Sequence, residues 1–280
     1  MNKTFKHIGL ITRAGKNTVD TLNAVKTYCL DQRIAISIEQ KTAEIMHENT
    51  LPRFLEDKLP DTIDLMIVVG GDGSLLHAAH CALDHDLPVL GINRGHLGFL
   101  TDINPKELHR ISDVLKGNYT REERFLLKTS LGIALNDVVL LPGEAQLIEF
   151  DIMINNQFVC QQRADGLIIA TPTGSTAYAL SGGGPILHPN LDAMVLVPMF
   201  PHTLSSRPIV VDSNAKIELI ISEHKNKTGN ISCDGQKRIP VKPGTRITIE
   251  KHEKKLQLIH PNNYDYFATL REKLGWQAHR

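Results

Sequence analysis

The chain is 280 residues long, 41% hydrophobic and 22% charged, which allows a sizeable buried core and excludes disordered and fibrous classes. Lys plus Arg and Asp plus Glu each number 31, so the formal net charge is zero and no global basic field exists to hold nucleic acid or an anionic membrane. The longest apolar runs fall far short of the ~20 residues that cross a bilayer, and residues 1–7 lack the apolar stretch of a secretory signal, so none is expected. The four cysteines are widely spaced and form no CxxC pair, so free thiols in a reducing cytoplasm are expected rather than disulfides or a zinc knuckle.

Residues 8–11 predict a strand. Over residues 18–30 the apolar positions Leu22, Val25 and Cys29 recur at helical spacing. Residues 34–38 and Leu65–Val69 predict two more strands, the second apolar throughout, as expected when both its faces are covered. Residues 74–83 predict a helix with Leu75, Leu76, Ala79 and Leu83 on one face, and residues 87–92 a fourth strand. This alternation predicts an α/β domain with a mostly parallel sheet. Near Gly117-Asn118-Tyr119 the character changes to short strands, among them 147–154, 158–160, 167–170, 209–211, 217–221, 247–249 and 256–259. Turns at Asn155-Asn156, Lys227-Thr228-Gly229-Asn230, Asp234-Gly235 and Pro243-Gly244 separate them. The mixed cluster Lys251-His252-Glu253-Lys254-Lys255 predicts a solvated hairpin turn. The expected organisation is an α/β domain over 1–118, an antiparallel β-rich domain over 119–260, and a helix in 261–280 that returns to the first domain.

Val69-Gly70-Gly71-Asp72-Gly73-Ser74 runs from a strand through a glycine turn into a helix. Such a turn suits an anion, because glycine allows close approach and the helix start offers unpaired N–H groups. A tight strand–helix turn with no ligand would look similar. Asp72 argues for chemistry, since a carboxylate among phosphates either accepts a proton or holds Mg²⁺. The turn lacks the Lys-Ser/Thr of a P-loop and the GxGxxG spacing, and no HRD or DFG motif occurs. Residues 165–185 follow an apolar strand with a loop dense in hydroxyls and small residues: Thr171, Thr173, Ser175, Thr176, Tyr178, Ser181 and three glycines. The composition favours a ligand loop, with Tyr178 a stacking face. Asn136-Asp137 suits the vicinal hydroxyls of a ribose, although such pairs also simply start turns. Arg94, after the strand at 87–92, suits a phosphate or an ion pair equally. His77, His80 and Cys81 share one helix without a further ligand cluster, which favours a helix with partly exposed histidines over a metal site. His202 fits a structural loop better than a ligand contact.

Taken together, Gly70-Gly71-Asp72-Gly73 and the run Thr171-Pro172-Thr173-Gly174-Ser175-Thr176-Ala177-Tyr178 resemble the GGDG and TPTGSTAY motifs of the bacterial-type NAD kinase family. The blocks 93–101 and 196–204 are similar too, and the resemblance spans residues 8–276. It implies NAD between the two domains and Asp72 as general base on the adenosine 2′-hydroxyl, which attacks the γ-phosphate of ATP to give NADP. It implies phosphate binding by Gly70, Gly71, Gly73 and Arg94. NAD contacts are implied for Asp72, Gly73, Asn136, Asp137, Gln146, Arg163, Asp165, Thr176, Ala177, Tyr178, Ser181 and Gln236. Mg²⁺ would arrive on ATP rather than in a protein cage. The implied partners are small nucleotides, with no nucleic acid and no membrane, and the implied assembly is a homodimer or homotetramer in the cytoplasm. The family usually has Asn-Glu where this chain has Asn136-Asp137; aspartate keeps the charge but is one methylene shorter. A lipid-type kinase would have no use for Tyr178 and the hydroxyl loop, and a non-catalytic NAD(P) sensor no use for Asp72. A dehydrogenase lacks its fingerprint here.

Overall fold

The computed structural model describes residues 3–13, 15–93, 98–144, 146–224 and 227–276. The chain divides into two compact units, one of residues 1–123 and 256–280, the other of residues 124–255.

The first unit alternates strands and helices: β1 (His7–Ile11), α1 (Val19–Asp31), β2 (Ala35–Glu39), α2 (Gln40–Met46), β3 (Arg53–Phe54), β4 (Leu65–Val69), α3 (Asp72–Asp84), β5 (Val89–Ile92) and α4 (His109–Leu115). The strands pair in parallel in the order β5-β4-β1-β2-β3. β4 is buried at all five positions, the reason its sequence is apolar without alternation. Leu22, Val25 and Cys29 of α1 pack with Ile8, Leu10, Ile36, Ile38 and Leu65 of the sheet. α2 follows β2 without a loop, because the Glu39 carboxylate caps it, accepting from the amides of Lys41 and Thr42 at 2.8 Å each. That short helix and α4 escape sequence reading because neither is long enough to show a period. α3 begins at Asp72 rather than Ser74, so the aspartate belongs to the first helical turn.

The remaining elements are β6 (Tyr119–Thr129), β7 (Gly132–Ala134), β8 (Asp137–Pro142), β9 (Ile148–Ile154), β10 (Gln157–Ala164), β11 (Gly166–Ala170), α5 (Tyr178–Ser181), β12 (Ala193–Met199), β13 (Ile209–Asp212), β14 (Ile217–Ile221), β15 (Gly229–Cys233), β16 (Arg238–Val241), β17 (Arg246–Pro261) and α6 (Tyr266–Leu274). In the second unit, β13-β12-β11-β8-β15-β16 form one antiparallel sheet; β10, β9, β14 and the first half of β17 form another. Alternate residues of β11 enter two different cores. Leu167 and Ile169 pack with Phe150, Ile217 and Ile249 of the other sheet. Ile168 and Ala170 pack with Ala179 and Leu187, which the hydroxyl-rich loop brings over the outer face. Both faces are covered, and the strand is apolar throughout.

Three local expectations are corrected. Residues 247–249 and 256–259 belong to one 16-residue strand, β17, and the predicted hairpin turn at 251–255 is part of it. No glycine, proline or asparagine breaks the chain there, and groups on or beside other strands pair with Lys251 and Glu253. Lys251 Nζ reaches Asp192 Oδ1 at 2.9 Å and Ser213 Oγ at 3.0 Å and lies over the Phe125 ring, while Lys128 pairs with Glu253. Gly229 and Asn230, read as a turn, already pair with Pro142 and Leu141 as the start of β15. β17 continues into the first unit, where Leu258 pairs with Val89, and α6 follows it there.

Candidate functional site

In the first unit the chain leaves β4 through Gly70 and Gly71. The Gly70 amide is engaged, donating to the Ile92 carbonyl at 2.9 Å. Gly71 caps α3 in an extended conformation (φ −97°, ψ −173°), and its carbonyl accepts from Ser74 at 2.9 Å and Leu75 at 3.2 Å. The amides of Gly71, Asp72 and Gly73 meet no acceptor among the described residues, so the helix start presents its positive end to open space. A β-carbon at 71 or at 73 would meet nothing within 4 Å, and neither residue has positive φ. The fold therefore does not demand glycine at either position; the room left there suits an anion drawn close to the backbone.

Asp72 is half-buried. Its Oδ2 accepts from the amide of Phe99 and its Oδ1 from that of Leu100, each at 3.0 Å. One lone-pair direction remains on each oxygen for a proton or a hard cation. Gly98 makes this approach possible, because a β-carbon there would overlap Asp72 Oδ1 and Thr101 Oγ1. Sequence reading found Asp72 but not its holder, which lies 27 residues further on. Arg94 lies outside the described residues.

In the second unit a carboxylate that the motif reading missed organises the ribose-type pair. Asp234, at φ 51° in the turn after β15, accepts from the amides of Leu135 at 2.9 Å, Asn136 at 2.7 Å and Asp137 at 3.2 Å. The signal was present as Asp234-Gly235, which was read only as a turn. Asp137 is 4% exposed. Burial pushes its carboxyl up to about 7, and the Asp234 charge adds in the same direction. Asn136, Asp137, Ala177, Tyr178, Ser232 and Arg238 line one cavity of about 330 Å³.

The hydroxyl loop proves largely self-satisfied. Thr171 Oγ1 donates to the Leu135 carbonyl at 2.6 Å, and Ser175 Oγ donates to the Pro172 carbonyl at 2.6 Å and accepts from the Leu187 amide at 2.9 Å. Thr173 Oγ1 accepts from Arg124 Nη1 at 3.1 Å. All three residues are buried. Gly174 packs so tightly that a β-carbon would overlap the Asn136 carbonyl. These hydroxyls shape the loop, which leaves Thr176, Ala177, Tyr178 and Ser181 at least partly exposed. Tyr178, 47% exposed, stands between the Asn136 cavity and a second one of about 500 Å³ shared with Ser181, Phe200, Leu204 and Arg207.

The other expected contacts stand apart from that group. Gln146 lines a cavity of about 380 Å³ with Glu144 and Lys227. Arg163 lines a small recess with Glu149, His224 and the same Lys227. Asp165 is exposed, its amide donating to the Met199 carbonyl at 2.9 Å, and Gln236 is exposed with its amide on the Cys233 carbonyl at 3.1 Å. The His202 amide donates to the Arg163 carbonyl at 2.9 Å. His77 Nε2 pairs with Glu56 Oε2 at 2.7 Å, and the Cys81 thiol, pushed up to about 12 mainly by burial, donates to the Glu56 carbonyl at 3.1 Å.

Comparison with known proteins covers nearly the whole chain. Residues 8–119 match the ATP-NAD kinase N-terminal domain and residues 135–261 the ATP-NAD kinase C-terminal domain. The chain is similar to an NAD kinase of Coxiella burnetii (strain Dugway 5J108-111), 54% identical over 98% of this chain and 95% of the relative. An NAD kinase of Pseudomonas putida (strain GB-1) is 51% identical over 97% of this chain and 96% of the relative. Among solved structures, an NAD kinase from Archaeoglobus fulgidus in complex with ATP superposes with a TM-score of 0.76 at 26% identity, covering 95% of this chain and 99% of that one. The fold is also that of a yeast NADH kinase complexed with NADH, with a TM-score of 0.83 at 24% identity, covering 99% of this chain and 90% of that one. These matches favour neither a lipid-type kinase nor a sensor. The chain belongs to the ATP-NAD kinase family and is a phosphotransferase.

Proposed function

We propose that this chain transfers the γ-phosphoryl group of ATP to the adenosine 2′-hydroxyl of NAD, giving NADP and ADP, with Asp72 as general base. The observation that carries the assignment is the Asp72 carboxylate itself. Two backbone amides fix it at the positive start of α3, beside the open backbone of Gly71 and Gly73. A secondary hydroxyl is a poor nucleophile at neutral pH. Asp72 takes its proton as the oxygen attacks γ-phosphorus, and the bond from γ-phosphorus to the β,γ-bridging oxygen breaks. The unengaged amides at the helix start hold phosphate oxygens and hence neutralise developing charge. Mg²⁺ enters as part of the ATP substrate, with its waters and the phosphate oxygens as ligands, and the remaining lone pairs of Asp72 suit a hard cation.

In this reading Asn136 and Asp137 hold ribose hydroxyls, Tyr178 stacks on adenine, and Thr176, Ala177 and Ser181 line the same side. Gln146, Arg163, Asp165 and Gln236 contact the rest of the dinucleotide. Gly70 contributes through the turn's shape, since its amide is engaged. Arg94 is assigned to phosphate on its chemistry alone. A homodimer or homotetramer is supported by apolar residues left exposed in the second unit, Phe158 at 62%, Phe200 at 82% and Leu204 at 94%. A cytoplasmic location is proposed from four cysteines that are all free. Among the described residues no helix is long and apolar enough to cross a membrane.

The test is NADP formation from NAD and Mg-ATP, followed with an NADP-specific dehydrogenase, in wild type and Asp72→Asn. Turnover is expected to fall at least about 10²-fold in the variant while NAD still binds. Tight NAD binding by the wild type with no NADP made from any phosphoryl donor overturns the kinase reading. A variant that retains turnover overturns the role of Asp72.

A further inference from the structure

The turn that holds Asp72 is itself held from behind, entirely within the first unit. Phe99 and Leu100 lend their amides to the carboxylate, and two residues further on Asp102 is clasped by His260, near the end of β17. Asp102 Oδ2 meets Nδ1 of that ring, and Glu122 Oε2, from β6, faces Nε2 at 3.1 Å. The ring is 1% exposed and stacks on Tyr264 with 4.0 Å between centroids and 13° between planes. A neutral imidazole has a single N–H and would set its other nitrogen's lone pair against a carboxylate oxygen. With a carboxylate at each nitrogen, both must donate, and the ring is an imidazolium holding two acids. The next residue, Ile103, ties the same segment to β5, its carbonyl accepting from the Asn93 amide at 2.9 Å and its amide donating to the Gly91 carbonyl at 3.4 Å. Side chain and backbone therefore anchor two adjacent residues immediately after the turn.

We infer that His260 is a positioning residue for phosphoryl transfer: by gripping Asp102 it fixes the 98–101 turn whose amides aim the Asp72 carboxylate. The inference rests on the reading of Asp72 as the proton acceptor. It assigns the C-terminal segment a part in the reaction although it is 158 residues from Asp102 in sequence. A charge that only stabilised the fold would lower the melting temperature and leave turnover per folded molecule alone. A positioning charge acts on turnover, because displacing a catalytic group by about 1 Å can cost on the order of 10²-fold.

The experiment compares His260→Gln and Asp102→Asn with wild type at a temperature where all three are folded. It measures kcat, KM for NAD and for ATP, and hydrogen exchange at the amides of Phe99 and Leu100. His260→Gln is expected to lower kcat by roughly tenfold or more, with each KM within about twofold, and to speed exchange at those two amides. Asp102→Asn, which keeps the ring and its bond to Glu122 but removes one of the two carboxylates that hold it charged, guards against a variant that fails to fold. It is expected to shift kcat in the same direction, and the double variant to be no worse than the worse single one. Wild-type kcat and unchanged exchange at residues 99 and 100 in both variants overturn the inference, whatever the melting temperature does. If Asp72→Asn keeps full turnover, the reading of Asp72 fails instead, while the exchange measurement still decides whether His260 holds the turn.

Discussion

Asp72 is a common residue in an uncommon setting. Neither of its amide donors is a neighbour in sequence, and the space for them exists because residue 98 has no side chain. Gly98→Ala would place a methyl group where Asp72 Oδ1 and Thr101 Oγ1 now lie, so the carboxylate or the turn must move. The expected outcome is a kcat lower by about 10²-fold with KM for NAD little changed, read from steady-state NADP formation. Loss of NAD affinity with kcat intact would instead place Gly98 in the binding surface. Asp137 presents a second residue-scale constraint. Its shorter side chain sits buried beside Asp234, so a full negative charge there is costly. Asp137→Asn is expected to stabilise the fold above pH 7 in thermal melts, since the amide removes a buried charge without changing size.

At the scale of the element, the loop over residues 171–187 does two jobs with different residues. Thr171 and Thr173 tie it to the Leu135 carbonyl and to Arg124 of β6, Ser175 ties the loop to itself through Pro172 and Leu187, and Ala179 and Leu187 cover the outer face of β11 and β12. Tyr178 and Ser181 are left outward. Ser175→Ala removes a buried hydroxyl that bonds the Pro172 carbonyl and the Leu187 amide. It is expected to cost about 1–3 kcal/mol of stability in denaturant melts, with KM for NAD within twofold of wild type. Tyr178→Ala, at an exposed position, is expected to do the reverse: stability within about 0.5 kcal/mol of wild type, and KM for NAD raised several-fold. If Ser175→Ala raised KM as much as Tyr178→Ala, the division of labour would be wrong.

Across the molecule, His260 and Asp137 are buried ionisable groups that shape the pH dependence of stability near neutrality, and both act in the same direction. Burial alone would lower the pKa of His260, but the carboxylates of Asp102 and Glu122 outweigh it and hold the ring at about 9. The stabilisation is fully present below the unfolded value near 6.5 and is lost as pH rises through about 9. By the conversion between pKa shift and free energy the loss is on the order of 3 kcal/mol. Asp137, raised to about 7, loses its contribution earlier, as pH climbs from near 4 through 7. Thermal melts from pH 6 to 9, below the range in which the buried thiols of Cys29, Cys81 and Cys233 begin to weigh, should show wild type falling more steeply above pH 7 than His260→Gln. A wild-type midpoint that stays level through pH 9 would show that the ring is neutral.

The sequence by itself determined four strands and the two long helices of the first unit in their order, the change to short strands near residue 118, and the two loops that match the family's motifs. Each is written in local patterns: apolar runs, helical spacing and glycine or hydroxyl density. Tertiary structure decided which members of those motifs are available to a ligand. Thr171, Thr173 and Ser175 are indistinguishable from Thr176 in composition, yet the fold buries the first three and leaves Thr176 partly exposed. Asp234 reads as an ordinary turn residue until its turn is folded back onto the amides of residues 135–137. His260 reads as one of 13 histidines until β17 carries it between Asp102 and Glu122. The physical reason is the same in each case. A local pattern records propensity and burial, whereas the partners of a charged or hydroxyl group are chosen by contacts between residues tens to more than a hundred positions apart.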